Sequence, residues 1–262
     1  MPEYIKRYNP NRHKDWNYGG KNWKLSRSKI EFYLECARCF YLDNKLGTKR
    51  PGFPSFTLNL AVDELFKKEF DLYRAQQKPH PIMEEYSVRA VPYHHPELDA
   101  WRDPFVGLQY IHKPTGLIVS GGIDDIWVNS DDELIVVDYK ATSKAEHITT
   151  LSDSSWEPSY RRQLGVYQWL LMKLAYPVAQ VGYFVYANAL QDAPSFDNKL
   201  KFETTLVPCE GDTGWIENTI HEIKDCLDSD SYPASNQQCE YCQYREASGR
   251  KLQAIHAKNA SK

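Results

Sequence analysis

The chain has 262 residues, with 32 Lys plus Arg against 35 Asp plus Glu and a net charge of −3. Its mean hydropathy is −0.63. No apolar run approaches the ~20 residues of a membrane span, and the N-terminus (MPEYIKRYNPNRHKDW) lacks an apolar secretory core. Membrane protein, secreted precursor and disordered tail are poor readings, so a cytoplasmic enzyme or binding protein with no membrane partner is expected, at a length that fits one large α/β domain.

The charge is unevenly spread: residues 1–50 carry +7, residues 51–244 carry −14 and residues 245–262 carry +4. Basic ends suit a polyanion, and an acidic middle can supply carboxylates to a divalent cation. Solvated surface charge would give the same segregation.

Residues 1–25 read as a basic arm with a Gly19-Gly20 break and no apolar period. Ser26 or Ser28 then caps a helix carrying Ile30, Phe32, Tyr33, Leu34, Phe40, Tyr41 and Leu42 and stopping near Gly47. Cys36 and Cys39 fall on one face of its second half. Pro51-Gly52-Phe53-Pro54 breaks the chain. A second helix over 58–74 is expected to bury a stripe of Leu58, Val62, Leu65, Phe66, Phe70 and Tyr73. Residues 76–105, rich in proline and histidine, read as irregular.

From Val106 the pattern becomes β: FVGLQYIH, GLIVSGGIDDIWV and ELIVVDYKAT, each bounded by turn residues. A helix over 159–175, strands VAQVGYFVYANA and KLKFETTLV, and a helix over 215–227 follow. Cys239 and Cys242 open a final short helical stretch. This order predicts an α/β fold with a mixed sheet packed by helices.

The six cysteines include two C-x-x-C pairs, Cys36/Cys39 and Cys239/Cys242, one towards each end of the chain. In a cytoplasmic chain this spacing argues for metal or redox use rather than disulfides. Cys209 and Cys226 stand apart and read as inert thiols.

The most informative stretch is Gly121 to Lys140, GGIDDIWVNSDDELIVVDYK. Asp138 and Lys140, two apart on a strand, share a face. With a turn centred on Asp131, Asn129 faces Glu133 and Asp124 falls opposite Asp138, while Asp125 points to the other face. A one-residue slip would exchange Asp124 for Asp125. Adjacent carboxylates repel unless a cation lies between them, and Mg²⁺ or Mn²⁺ suits such oxygen ligands. Lys140 would then orient or help deprotonate a water. The plain alternative is an ion pair on an exposed sheet. On the next helix Gln163 and Tyr167 share a face at i, i+4, preceded by Arg161 and Arg162.

Three motifs thus occur in order: Gly121-Gly122-Ile123-Asp124, Asp138-Tyr139-Lys140 and Gln163-x-x-x-Tyr167. Leu25-Ser26-Arg27-Ser28 leads to Cys36 before them, and Cys239-x-x-Cys242 with Tyr244-Arg245 follows. Over about residues 25–245 the chain resembles the PD-(D/E)XK nuclease superfamily, specifically the RecB-type branch that includes AddB-like and CRISPR-adaptation nucleases. The resemblance implies a restriction-endonuclease-like core, a mixed central sheet flanked by helices, within one domain over 26–262. It implies hydrolysis of DNA phosphodiesters, at single-stranded or duplex ends, in repair, recombination or CRISPR-type processing. Asp124, Asp138 and the Tyr139 carbonyl would hold Mg²⁺ or Mn²⁺. Lys140 would be the catalytic lysine, and Gln163 and Tyr167 would position the metal-site loop or the nucleic-acid strand. Where relatives present a histidine ligand, this chain offers Asp63, beside Glu64.

Arg161, Arg162 and Lys144 are candidates for phosphate contacts, and Tyr4, Tyr8, Trp16, Tyr18 and Trp23 for base stacking. Cys36, Cys39, Cys239 and Cys242 would hold a [4Fe–4S] cluster, with Zn²⁺ as the alternative, and clasp the two ends of the chain. Their two-plus-two arrangement departs from the one-early, three-late pattern of cluster-bearing relatives. Any coupling to unwinding or integration would need a helicase or integrase-type partner. Two other readings remain: a non-catalytic nucleic-acid-binding protein held by the cysteine clasp, and an RNA-processing nuclease.

Overall fold

Asn129 closes the turn that sets the central sheet. Its Oδ1 accepts the N–H groups of Asp131 (3.0 Å) and Glu133 (2.9 Å), and its Nδ2 donates to Glu133 Oε2 (2.9 Å). Asp132 takes the positive φ of 60° that the turn requires, a region Asp tolerates better than most residues. The flanking strands therefore pair Asp125 with Val137, Ile126 with Val136 and Val128 with Leu134. One further step sets Asp124 opposite Asp138, the register expected from a turn at Asp131.

The computed structural model describes residues 8–52, 56–151 and 157–260. Tyr4, Phe53 and Pro54 lie outside them. The chain runs through β1 (Leu25–Ser26), α1 (Arg27–Glu35) and α2 (Ala37–Asn44), and then α3 (Thr57–Gln76). After α4 (Pro81–Glu85), β2 (Ala90–Pro92) and α5 (Leu98–Arg102) come β3 (Leu108–His112), β4 (Leu117–Gly121), β5 (Asp125–Asn129) and β6 (Leu134–Thr142). α6 (Glu157–Lys173), β7 (Val181–Ala189), β8 (Phe202–Glu210), α7 (Ile216–Asp228) and α8 (Glu240–Ala260) complete it.

These elements form two compact units. The larger contains α3 to β8, apart from residues 113–117, and a five-stranded sheet of order β2-β5-β6-β7-β8. Its pairs are antiparallel except β6 with β7, which run parallel and set Asp138 beside Phe184 and Lys140 beside Tyr186. It is a mixed sheet flanked by helices, a restriction-endonuclease-like fold. Below it lies a core in which Phe70 stacks on Trp127 at 5.5 Å and on His80 at 4.3 Å, while Phe66 stacks on Tyr139 at 5.1 Å. The smaller unit contains β1, α1, α2, α7 and α8. Residues 8–25 belong to it rather than standing off as an arm: Trp23 is buried and donates to Asn44 Oδ1 (3.0 Å), and Tyr18 donates to Asp228 (2.7 Å). No described helix is long and apolar enough to cross a membrane.

Five local expectations are corrected. The single helix expected over 26–47 is two, because Cys36 is extended (φ −163°, ψ 103°) and ends α1 as it starts α2. One residue outside the helical region is enough to redirect the chain, and no period in the sequence records it. In α3 the expected stripe is buried only in part: Phe66 and Phe70 are buried as expected, but Leu58 and Leu65 are 58% and 62% exposed, and Arg74 is buried. Residues 76–105 are not irregular throughout, since β2 joins the sheet edge with Pro92 opposite Trp127, where the missing N–H is tolerated. GLIVSGGIDDIWV is two strands, with the break at 122–124. α8 runs for 21 residues rather than one short stretch.

Gly121, at that break, has a specific steric role. A Cβ there would lie 2.7 Å from a ring carbon of Tyr167, closer than van der Waals contact allows. The first residue of the G-x-x-D motif is thus fitted to the last residue of the Q-x-x-x-Y motif.

Candidate active site

β6 carries Asp138 and Lys140, and α6 brings Gln163 and Tyr167 to them. Asp138 is completely buried; its Oδ2 forms an ion pair with Lys140 Nζ, and its Oδ1 accepts from Gln163 Nε2 at 2.6 Å. Gln163 Oε1 accepts from Lys140 Nζ at 3.3 Å, and Gln163 Nε2 also donates to the Tyr167 hydroxyl at 3.2 Å. Two motifs 23 residues apart therefore form one hydrogen-bonded network. Lys140 Nζ stands 4.5 Å from the Tyr160 ring centroid and 5.6 Å from that of Phe184. Burial works against the lysine's charge, but the Asp138 and Asp124 carboxylates outweigh it and keep its pKa above the ordinary lysine value. Lys140 is held as an ammonium.

Asp124 lies just before β5, and its Oδ2 accepts the Tyr139 N–H at 3.0 Å. Burial pushes its carboxyl well above the usual range, and the charges of Asp138 and Asp63 push it further. Lys140 only partly offsets them. Asp63, on α3, acts on Asp124 from nearby but is ion-paired with Lys67 at 2.7 Å. Burial lowers the Lys67 pKa, and Asp63, Asp124 and Glu64 more than restore it. The expected carboxylates are thus gathered in one unit with two lysines among them. Lys67 is signalled in the sequence only as the i+4 partner of Asp63.

Behind the hairpin lies a second network that sequence reasoning missed. Asp125 is wholly buried and accepts from Arg74, from Arg102 Nη2 (3.0 Å) and from the Tyr139 hydroxyl (2.7 Å). Arg102 Nε donates to the Asp124 carbonyl (3.0 Å), tying the network to the loop that carries Asp124. Asp71 completes it, at 2.9 Å from each arginine. No spacing rule joins Arg74, Arg102 and Asp125; only the turn of Asp125 to the opposite face of the sheet is legible in the sequence.

Of the candidate phosphate contacts, Arg161 is exposed and Arg162 half-buried, on the same helix as Gln163. Lys144 is exposed two residues beyond β6, its backbone bracketed by Asn188 (2.8 and 3.0 Å). Among the stacking candidates, Tyr8 and Trp16 are exposed and Trp23 is not.

In the smaller unit the four cysteines converge. Sγ separations are 3.5 Å for Cys39–Cys242, 3.6 Å for Cys39–Cys239 and 3.8 Å for Cys36–Cys242, and all four sulfurs lie within 4.8 Å of one another. All four are buried. Among the described residues this is the only group of three or more metal-ligating side chains so gathered. Burial raises the Cys36 thiol, but the backbone N–H groups of Cys39 and Asn236 outweigh it and bring its pKa down to about 7. Burial, with the neighbouring thiols, pushes Cys242 up to about 11. Four soft ligands of this kind could hold zinc or an iron–sulfur cluster.

A hairpin carrying Asp124 and Asp138-x-Lys140, a parallel strand beside it and a helix returning Gln163 and Tyr167 bring the candidate residues together on a restriction-endonuclease-like sheet. The family model of the PD-(D/E)XK nuclease superfamily matches residues 57–247. The chain belongs to that superfamily. No curated protein matches it significantly.

Proposed function

We propose that the protein is a Mg²⁺- or Mn²⁺-dependent deoxyribonuclease of the RecB-type branch, acting on single-stranded or duplex DNA ends in repair, recombination or CRISPR-type processing. The observation that carries this reading is the joining of the three motifs at one place: Asp138 binds both Lys140 and Gln163, and Asp124 accepts the Tyr139 N–H between them. A carboxyl pushed up by burial and by two neighbouring carboxylates is a place where a hard cation is stabilising. By donor type, Asp124, Asp138, the Tyr139 carbonyl and, from α3, Asp63 would suit such an ion.

When bound, such a cation would supply water activation and charge neutralisation at phosphorus. The chain's own groups do the rest. Gln163 fixes Asp138 through one carboxylate oxygen, and Tyr167 holds Gln163. The Lys140 ammonium, covered by Tyr160, is poised to orient the attacking water and to offset charge developing on the phosphate. Arg161, Arg162 and Lys144 are the cations assigned to the phosphate backbone. The protein is taken as cytoplasmic, with a helicase or integrase-type protein as its partner.

The Asp63–Lys67 ion pair favours a second reading, a non-catalytic nucleic-acid-binding protein, because it occupies a carboxylate that a metal would need. Purified protein incubated with single-stranded DNA, duplex DNA and RNA, in Mg²⁺, Mn²⁺ or EDTA, separates these. Metal-dependent DNA cleavage is expected. Salt-sensitive binding without turnover would establish the second reading, and cleavage of RNA alone would move the activity to RNA processing.

Asp124→Asn gives a test that does not depend on turnover. Asparagine keeps the acceptor for the Tyr139 N–H and removes the repelled charge. In EDTA the variant is expected to be more stable than wild type by about 0.5–2 kcal/mol, and to lose the rise in Tm that Mg²⁺ or Mn²⁺ gives the wild type. A variant less stable than wild type in EDTA would count against the charge argument.

A further inference from the structure

The resemblance implies a [4Fe–4S] cluster at the four cysteines, and their geometry does not fit one. In a cubane each thiolate binds a different iron, so the four sulfurs spread to separations on the order of 6 Å. Around one tetrahedral ion at a metal–sulfur distance of about 2.3 Å, adjacent sulfurs stand roughly 3.8 Å apart. Here three of the separations are 3.5, 3.6 and 3.8 Å, and none exceeds 4.8 Å. We propose that Cys36, Cys39, Cys239 and Cys242 form a mononuclear tetrathiolate zinc site.

The surroundings agree with a closed, structural ion. Every sulfur is buried and supplied by the protein, which leaves no open coordination position for substrate. Each C-x-x-C pair lies at the start of a helix, Cys36 and Cys39 at α2 and Cys239 and Cys242 at α8. The N-terminal ends of both helices thus face the charge of a tetrathiolate. Arg50, stacked between Phe32 and Tyr241 at 4.3 and 4.5 Å, brings a cation whose field reaches Cys39. Zinc takes this geometry without redox chemistry, and the cysteines come from segments about 200 residues apart. The site therefore closes a long loop within the smaller unit.

The test reads metal content, so its failure is distinct from failure of the nuclease reading. The full chain is purified anaerobically from cells supplied with both iron and zinc. About one zinc per chain is expected, with no acid-labile sulfide and no visible absorption. Replacement by Co²⁺ should give the visible bands of a tetrahedral thiolate site. About four irons and four sulfides per chain would overturn the proposal, as would a single iron or four metal-free thiols. Cys209→Ser should retain the zinc. Cys242→Ser should lose it, or bind it at least 10-fold more weakly if it folds; if it does not fold, wild-type metal content and the Co²⁺ spectrum still decide.

Discussion

Lys140→Ala is expected to lower metal-dependent DNA cleavage by about 10²–10⁴-fold, the range for loss of a positioned proton-handling or charge-stabilising group. The side chain ties Asp138 to Gln163, and its ammonium is the positive charge nearest the two carboxylates of the hairpin. Removing it leaves Asp138 held by Gln163 alone and removes the charge that would face the phosphate. DNA binding should change little, because backbone contacts are assigned to Arg161, Arg162 and Lys144. Affinity for Mn²⁺ should stay the same or rise, because Asp138 loses a competing cation. Single-turnover cleavage and DNA binding, measured on a variant with unchanged circular dichroism, separate these effects. Undiminished cleavage would remove Lys140 from the mechanism.

The features that could be read in advance depend on short-range rules. Asn129 and Asp131 specify a tight turn, and a period of two carries the register from that turn to Asp124 and Asp138. Gln163 and Tyr167 share a face because a helix repeats every 3.6 residues. The cysteine pairs stand out by their C-x-x-C spacing, which soft-ligand chemistry turns into a candidate metal site. The features that escaped depend on tertiary context. Cys36 leaves the helix for one residue, β2 is too short for alternation to register, and α3 turns Leu58 and Leu65 outward so that Phe66 and Phe70 reach Tyr139 and Trp127. Arg74 and Arg102 escaped for a different reason. Sequence rules place arginine at the surface, and only the folded chain shows a buried carboxylate that both can reach.

That carboxylate is Asp125, and Asp125→Ala is expected to be the most destabilising single change in the larger unit. Arg74 and Arg102 have side chains 6% and 9% exposed, and Asp125 has none of its surface accessible. Arginine does not lose its proton in proteins, so removing the acceptor leaves two buried charges sharing Asp71, which is 44% exposed. Breaking a buried pair in this way costs about 3–5 kcal/mol, a large part of the 5–15 kcal/mol typical of a folded domain. Asp71→Ala should cost less, since water already reaches that carboxylate. The wild type should also lose stability in acid. Burial raises the Asp71 carboxyl, but Arg102 and Arg74 outweigh it and hold its pKa below the ordinary value; a depressed carboxyl stabilises above its unfolded pKa and loses that contribution as pH falls through the folded one. Because Arg102 also holds the Asp124 carbonyl, Asp125→Ala should lower cleavage by protein that remains folded. Urea unfolding of the two variants at neutral pH gives the comparison. A loss below 1 kcal/mol for Asp125→Ala would mean that Asp71 and the Tyr93 and Ile126 carbonyls, which also accept from Arg74, suffice to hold the arginines.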